Sequence, residues 1–172
     1  MNFIIIQLIG ALGYGTLAAS YYKKEKNKIL FMQIIAYIFF TIHYYLLSGI
    51  VGAICNLIGL FALVVIYMCD KYNLKIKSSL SLFFIILLII VSLVTFQNMY
   101  SIFPMVASVI VILSFLTDNE NTIRQIGIVS AVCWLIYAVV YKSYVGIVFE
   151  VVTLIATVIS YFKNKNVKNN NI

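Results

Sequence analysis

Charge is scarce in this sequence. Only 10% of its 172 residues are Asp, Glu, Lys or Arg, where a soluble domain carries about a quarter, so the chain cannot build a water-compatible surface. Histidine occurs once, as His43, and proline once, as Pro104. Cys55, Cys69 and Cys133 show no CxxC spacing and lie in or at the ends of apolar stretches, which excludes a zinc site or a disulfide framework and leaves them as small buried apolar side chains. The five acids include four in polar segments (Glu25, Asp70, Asp118 and Glu120) with no spaced acid, His or Cys partner. Nothing therefore points to an enzyme, a metal or a cofactor.

What the chain has instead is apolar bulk. Hydrophobic residues make up 64% and the mean hydropathy is +1.08, values of a membrane protein whose first partner is the lipid bilayer. A spanning helix needs about 20 residues, so 172 residues hold at most seven or eight crossings with short loops and leave no room for a soluble catalytic domain. Polar clusters cut the chain into seven apolar segments, 3–22, 29–47, 50–69, 79–96, 102–117, 124–141 and 144–162. The first has no basic leader and no small-residue cleavage site, so it reads as a span rather than a signal peptide. Ser48-Gly49 alone joins the second to the third, and Lys142-Ser143 the sixth to the seventh, so each pair forms a tight helical hairpin.

The basic residues set a direction. Eleven of the twelve (Lys23, Lys24, Lys26, Lys28, Lys71, Lys75, Lys77, Arg124, Lys163, Lys165 and Lys168) fall on one side of a seven-span layout, and only Lys142 on the other. The positive-inside rule then puts the N-terminus outside and the C-terminus in the cytoplasm, with Lys163 onward a basic disordered end near anionic headgroups. The formal charge of +7 thus orients a bundle and does not indicate a nucleic-acid partner.

A shift of 94 residues aligns the first three spans with the last three. Twelve of the 52 positions from 20 to 71 are identical to their counterparts, and loops and hairpins fall in register under the same offset. The fold expected is all-α and polytopic: two parallel three-helix repeats, 3–71 and 101–165, joined by a linker helix at 79–96, with a disordered tail at 166–172. The extra crossing keeps both repeats in one orientation, and the linker is apolar all round except for a few hydroxyls, as a lipid-facing helix should be. Parallel repeats related by an axis along the membrane normal are a transporter architecture, with the substrate near the midplane.

Polar residues recur in stripes. Gly49, Gly52, Asn56 and Gly59 share one face of the third span, and Ser143, Gly146, Glu150 and Thr153, extended by Thr157 and Ser160, share one face of the seventh. Small residues in such stripes serve close helix packing; Asn56 and Glu150, at equivalent positions, are costly there unless they face protein or a water-filled cavity. Span two adds Gln33, Tyr37, His43 and Tyr44, and span six adds Gly127, Ser130, Trp134 and Tyr137, with His43 aligned to Tyr137 and Phe40 to Trp134. These are groups that surround a small polar or ring-containing ligand. Near span ends, Tyr44, Tyr45 and Tyr141 fit an interfacial belt. His43 reads either as a hydrogen-bonded packing residue or, with Glu150, as the titratable pair through which proton coupling would run. Pro104 lies opposite Gly10 and marks either the first turn of span five or a flexing point.

The run QLIGALGYGTLAAS, the lysine cluster after it, and Gln33, His43-Tyr44, Gly49, Gly52 and Asn56 resemble the YgjV family of bacterial inner membrane proteins, most sharply in HYYLLSGIVGAICN. The layout also resembles the SWEET sugar transporters and the PQ-loop superfamily. That resemblance implies that an Asn on the third helix of each repeat contacts substrate, which maps by position onto Asn56 and Glu150. The second is Glu here, and the Pro-Gln motif and the four helix-kinking prolines are missing. The function expected is a small-solute carrier or facilitator of the bacterial inner membrane, with Asn56, Glu150, His43, Trp134, Tyr137 and Gln33 as the substrate site. The alternative is a non-transporting scaffold or partner-binding subunit, which needs no cavity.

Overall fold

The computed structural model describes residues 2–20, 26–72, 74, 76–114, 116 and 120–169, and among them every regular element is helical. Seven α-helices follow in order: α1 (Phe3–Ser20), α2 (Lys26–Leu46), α3 (Ile50–Lys71), α4 (Lys77–Val94), α5 (Ile102–Ser114), α6 (Glu120–Val140) and α7 (Tyr144–Asn169). A 3-10 turn, Met99–Ser101, precedes α5. By length and composition, α1, α3 and α4 could each cross a membrane, while α2, α5, α6 and α7 contain shorter apolar stretches. Side chains such as Leu8, Phe61, Phe83, Ile90 and Val152 stand exposed on the outside. An apolar exterior on a helical bundle suits hydrocarbon, where only a helix satisfies its own backbone.

Helix α7 runs to Asn169. Lys23, Lys24 and Lys75, and the side chains of Gly127, Thr157 and Ser160, lie outside the described residues. Pro104 is the third residue of α5, in the first turn, where its missing N–H has no helical acceptor to lose.

The two hairpins close identically. Gly49 N donates to Tyr44 O (2.8 Å) and Ser48 N to Tyr45 O (3.0 Å); 94 residues on, Ser143 N donates to Ala138 O (2.9 Å) and Lys142 N to Val139 O (3.3 Å). Ser48 and Lys142 are the two described non-glycine residues with positive φ, 62° and 55°. This is the left-handed helix-ending turn, which satisfies carbonyls otherwise left open. Both hairpins lie at one end of the bundle with the start of α1 and the α4–α5 link; the opposite end carries Lys71 and Lys77, and is called the lysine end below.

Helix α3 is central. It packs on α2, α4 and α5, and its Val51, Cys55, Ile58 and Ala62 form a core with Phe84 and Leu88 of α4 and Ile112 of α5. Helix α4 touches the bundle through the single stripe Ser81, Phe84, Leu88 and Ser92, at helical spacing, and exposes the rest. Helix α1 packs on α2 and α7 just as α5 packs on α6 and α3. In lipid, apolar burial contributes little between helices, so close approach and hydrogen bonds must hold them. A Cβ at Gly10 would lie 2.7 Å from the His43 ring, one at Gly13 2.8 Å from Phe40, and one at Gly59 2.7 Å from Tyr37. Glycine supplies the slot and a ring from the next helix fills it.

Candidate functional site

Two rings close the hairpin end. His43 is fully buried; its Nδ1 lies 2.8 Å from the Ile6 carbonyl and its Nε2 2.7 Å from Ser143 Oγ. A carbonyl can only accept, so Nδ1 carries the proton and, in the neutral ring, Nε2 accepts from the serine hydroxyl. Ser143 Oγ in turn accepts from Gly146 N (3.3 Å), which caps the start of α7. Tyr137, the counterpart of His43, is also fully buried, and its hydroxyl accepts from Gly52 N (2.9 Å) at the start of α3. Each ring thus reaches from the second helix of one half to the third helix of the other.

Two glutamines add an outer latch. Gln7 Nε2 donates to the Lys142 carbonyl (3.0 Å) while its Oε1 accepts from Val145 N (3.3 Å). Gln97 Nε2 donates to the Ser48 carbonyl (3.4 Å), and its Oε1 accepts from Ile50 N (3.2 Å) and from the Tyr141 hydroxyl (3.2 Å). The carbonyls held are those of the two left-handed residues, 94 apart. Asn98 Nδ2 also donates to Tyr141 Oη (3.2 Å), so the α4–α5 link grips both hairpins.

Beneath this seal lies a cavity of about 360 Å³. Its walls come from Tyr14 and Leu17 of α1; Gln33, Tyr37, Phe40 and Tyr44 of α2; and Asn56 of α3. Across from them stand Val111 and Ser114 of α5; Ile126, Ser130, Ala131 and Trp134 of α6; and Phe149, Glu150 and Thr153 of α7. Eight of these are four pairs at the same offset: Leu17 with Val111, Tyr37 with Ala131, Phe40 with Trp134, Asn56 with Glu150. The lining runs from Tyr44 and Trp134, below the seal, to the part-exposed Leu17, Gln33, Ser114 and Ile126 toward the lysine end.

Asn56 and Glu150 are each the seventh residue of their helix, about 9 Å along it at 1.5 Å per residue. Asn56 Nδ2 donates to Gly52 O (2.9 Å) one turn back. Glu150 is 9% exposed and, among the described residues, has no Lys, Arg or His partner. Tyr44 is 1% exposed; the Tyr14 and Ser143 hydroxyls and the Glu150 carboxyl are its polar neighbours, and none closes a hydrogen bond on its hydroxyl. Aromatic rings frame these groups, with Tyr14 4.5 Å from Phe149 and Tyr44 5.4 Å from Trp134 between centroids.

Of the residues singled out in the sequence, the structure brings Gln33, Asn56, Trp134 and Glu150 together around the cavity. His43 and Tyr137 do not line it, because their rings fill the slots over Gly10 and over Gly49 and Gly52, where their polar atoms are already bonded. The pair His43 and Glu150 is accordingly not assembled in the cavity. Tyr44 is buried in the bundle and lines the cavity, whereas Tyr45 beside it is exposed. Tyr14, Tyr37, Phe40 and Phe149 were not in the expected site, although Gln33, Tyr37, Phe40 and Tyr44, at intervals of three and four, form one visible helix face.

Comparison with known families decides what kind of protein this is. The Imp-YgjV family model, described as a bacterial inner membrane protein, matches residues 4–168. The chain belongs to the Imp-YgjV family. No curated protein and no solved structure matches it. The matched region of this Imp-YgjV chain takes in the cavity and both latches, and the family places the apolar bundle in the bacterial inner membrane.

Proposed function

We propose that this Imp-YgjV protein carries a small polar solute across the bacterial inner membrane by alternating access of two three-helix units joined by α4. The observation behind this reading is the cavity, which lies where α1, α2 and α3 meet α5, α6 and α7 and whose walls include four residue pairs at one offset. Its volume falls at the lower end of the roughly 300–1,000 Å³ of small-molecule sites, so the cargo is a single small molecule. A scaffold needs no such space.

In this reading all seven helices cross the membrane, the hairpin end faces outward and the lysine end faces the cytoplasm. The conformation described is then shut outside by His43, Tyr137, Gln7 and Gln97 and reached from the cytoplasm past Leu17, Gln33 and Ser114. Because the latch bonds run between the halves, rocking one half against the other would break them together and close the lysine end. No reaction is part of the cycle.

The test needs no substrate. With Cys55, Cys69 and Cys133 replaced by Ala, a single Asn56→Cys is exposed to a membrane-impermeant maleimide in right-side-out and in inside-out vesicles. Alternating access expects labelling from both faces, faster from the cytoplasmic one. Labelling from one face only, at any temperature, would remove it.

A further inference from the structure

Among the described residues, the walls of the cavity carry one sign of charge. Glu150, nine-tenths buried, has no cationic or hydrogen-bonding partner there, and the described lining contains no Lys, Arg or His. An anionic cargo would find nothing to neutralise it and would meet the carboxylate. A polyol would need a ring of donors and acceptors, whereas Tyr14, Phe40, Tyr44, Trp134 and Phe149 give this cavity largely aromatic walls. Aromatic side chains around a lone carboxylate are the environment that recognises an ammonium group, whose charge is drawn both to the carboxylate and to the ring quadrupoles. A second group points the same way. The Tyr44 hydroxyl, 1% exposed and without a hydrogen-bond partner among the described residues, lines the same space as Glu150, so it offers a free lone pair to an N–H donor.

We propose that the cavity binds a small organic cation, an amine or quaternary ammonium compound, with its charge set against Glu150 and its carbon frame against Trp134, Tyr44 and Phe149. The proposal rests on the carrier reading and narrows its cargo. The half-to-half difference explains why only one charge is present: the counterpart of Glu150 is Asn56, whose amide is turned back onto Gly52 O, so the second half supplies the charge and the first half most of the rings.

Trp134 is the chain's single tryptophan and lines the cavity, so its emission reports directly on an occupant. The purified protein is titrated with pairs of probes that differ in charge but little in shape: choline against 3,3-dimethylbutan-1-ol, and phenethylamine against 2-phenylethanol. The expected result is a Kd at least tenfold lower for the charged member of a pair, and loss of that gap in Glu150→Gln. Equal or tighter binding of the neutral member overturns the proposal, as does a gap that survives Glu150→Gln. The wild-type comparison stands even if that variant fails to fold. Silence from all four probes also overturns it, and the two-faced labelling of position 56 then shows separately whether the carrier reading falls as well.

Discussion

The hairpin end and the cavity are built from the same pairs of helices and differ in how their polar groups are used. At the hairpin end His43, Tyr137 and Gln7 each place polar atoms on the opposite half of the bundle, and Gln97 of the α4–α5 link bonds to both hairpins. In the cavity Glu150 has no cationic partner and the Tyr44 hydroxyl no hydrogen-bond partner among the described residues. Unmade hydrogen bonds at buried groups are costly, so the contrast separates a region that stabilises the bundle from one held ready for something else.

Substitutions should therefore act in opposite directions in the two regions. The largest effect is expected from Gly52→Ala, whose new methyl would overlap the fully buried Tyr137 ring; overpacking there should lower stability by about 3 kcal/mol, read as an earlier transition in a detergent denaturation series. Next comes the double variant Gln7→Ala, Gln97→Ala, which removes both latches. At about 1 kcal/mol for each glutamine it should lose roughly 2 kcal/mol and raise labelling of Asn56→Cys from the outer face several-fold. Unchanged labelling would mean that the glutamines do not gate the hairpin end. In the cavity the sign reverses: Glu150→Leu should raise stability by about 1 kcal/mol in the absence of any solute, since an unpaired carboxyl is replaced by an apolar group. A loss instead would show that Glu150 holds the bundle together. The smallest effect belongs to the turns, where Ser48→Gly should gain about 0.5 kcal/mol by relieving the left-handed strain at φ 62°, less the added freedom of the unfolded chain.

The hairpins and the helix count were legible because polar breaks and small-residue stripes mark them directly. Asn56 and Glu150 were legible because a carboxamide and a carboxylate at matched positions inside apolar helices have few reasons to be there. His43 and Tyr137 lie outside the cavity lining for a physical reason: the sequence shows that a ring is on a helix but not that Gly10 or Gly52 opposite leaves room to swallow it. Tyr44 and Tyr45 are neighbours in sequence, yet the 100° between them puts one in the cavity and the other outside, a distinction that follows from Gln33, Tyr37 and Phe40 on the same face. The unpartnered state of the Tyr44 hydroxyl had no signal at all in the sequence.

A glycine that holds a ring from another helix binds two positions into one unit of variation. If Gly10 gained a side chain, His43 would have to shrink or turn away, and with it would go the bond that orients the Ser143 hydroxyl at the start of α7. The same holds for Gly52 with Tyr137. Across Imp-YgjV sequences, positions 10 and 43 should therefore change together, as should 52 and 137, whereas under the proposed carrier function the cavity residues 56 and 150 would be free to drift apart as the cargo changes. The scaffold would then carry its history in coupled pairs and its specificity in uncoupled ones.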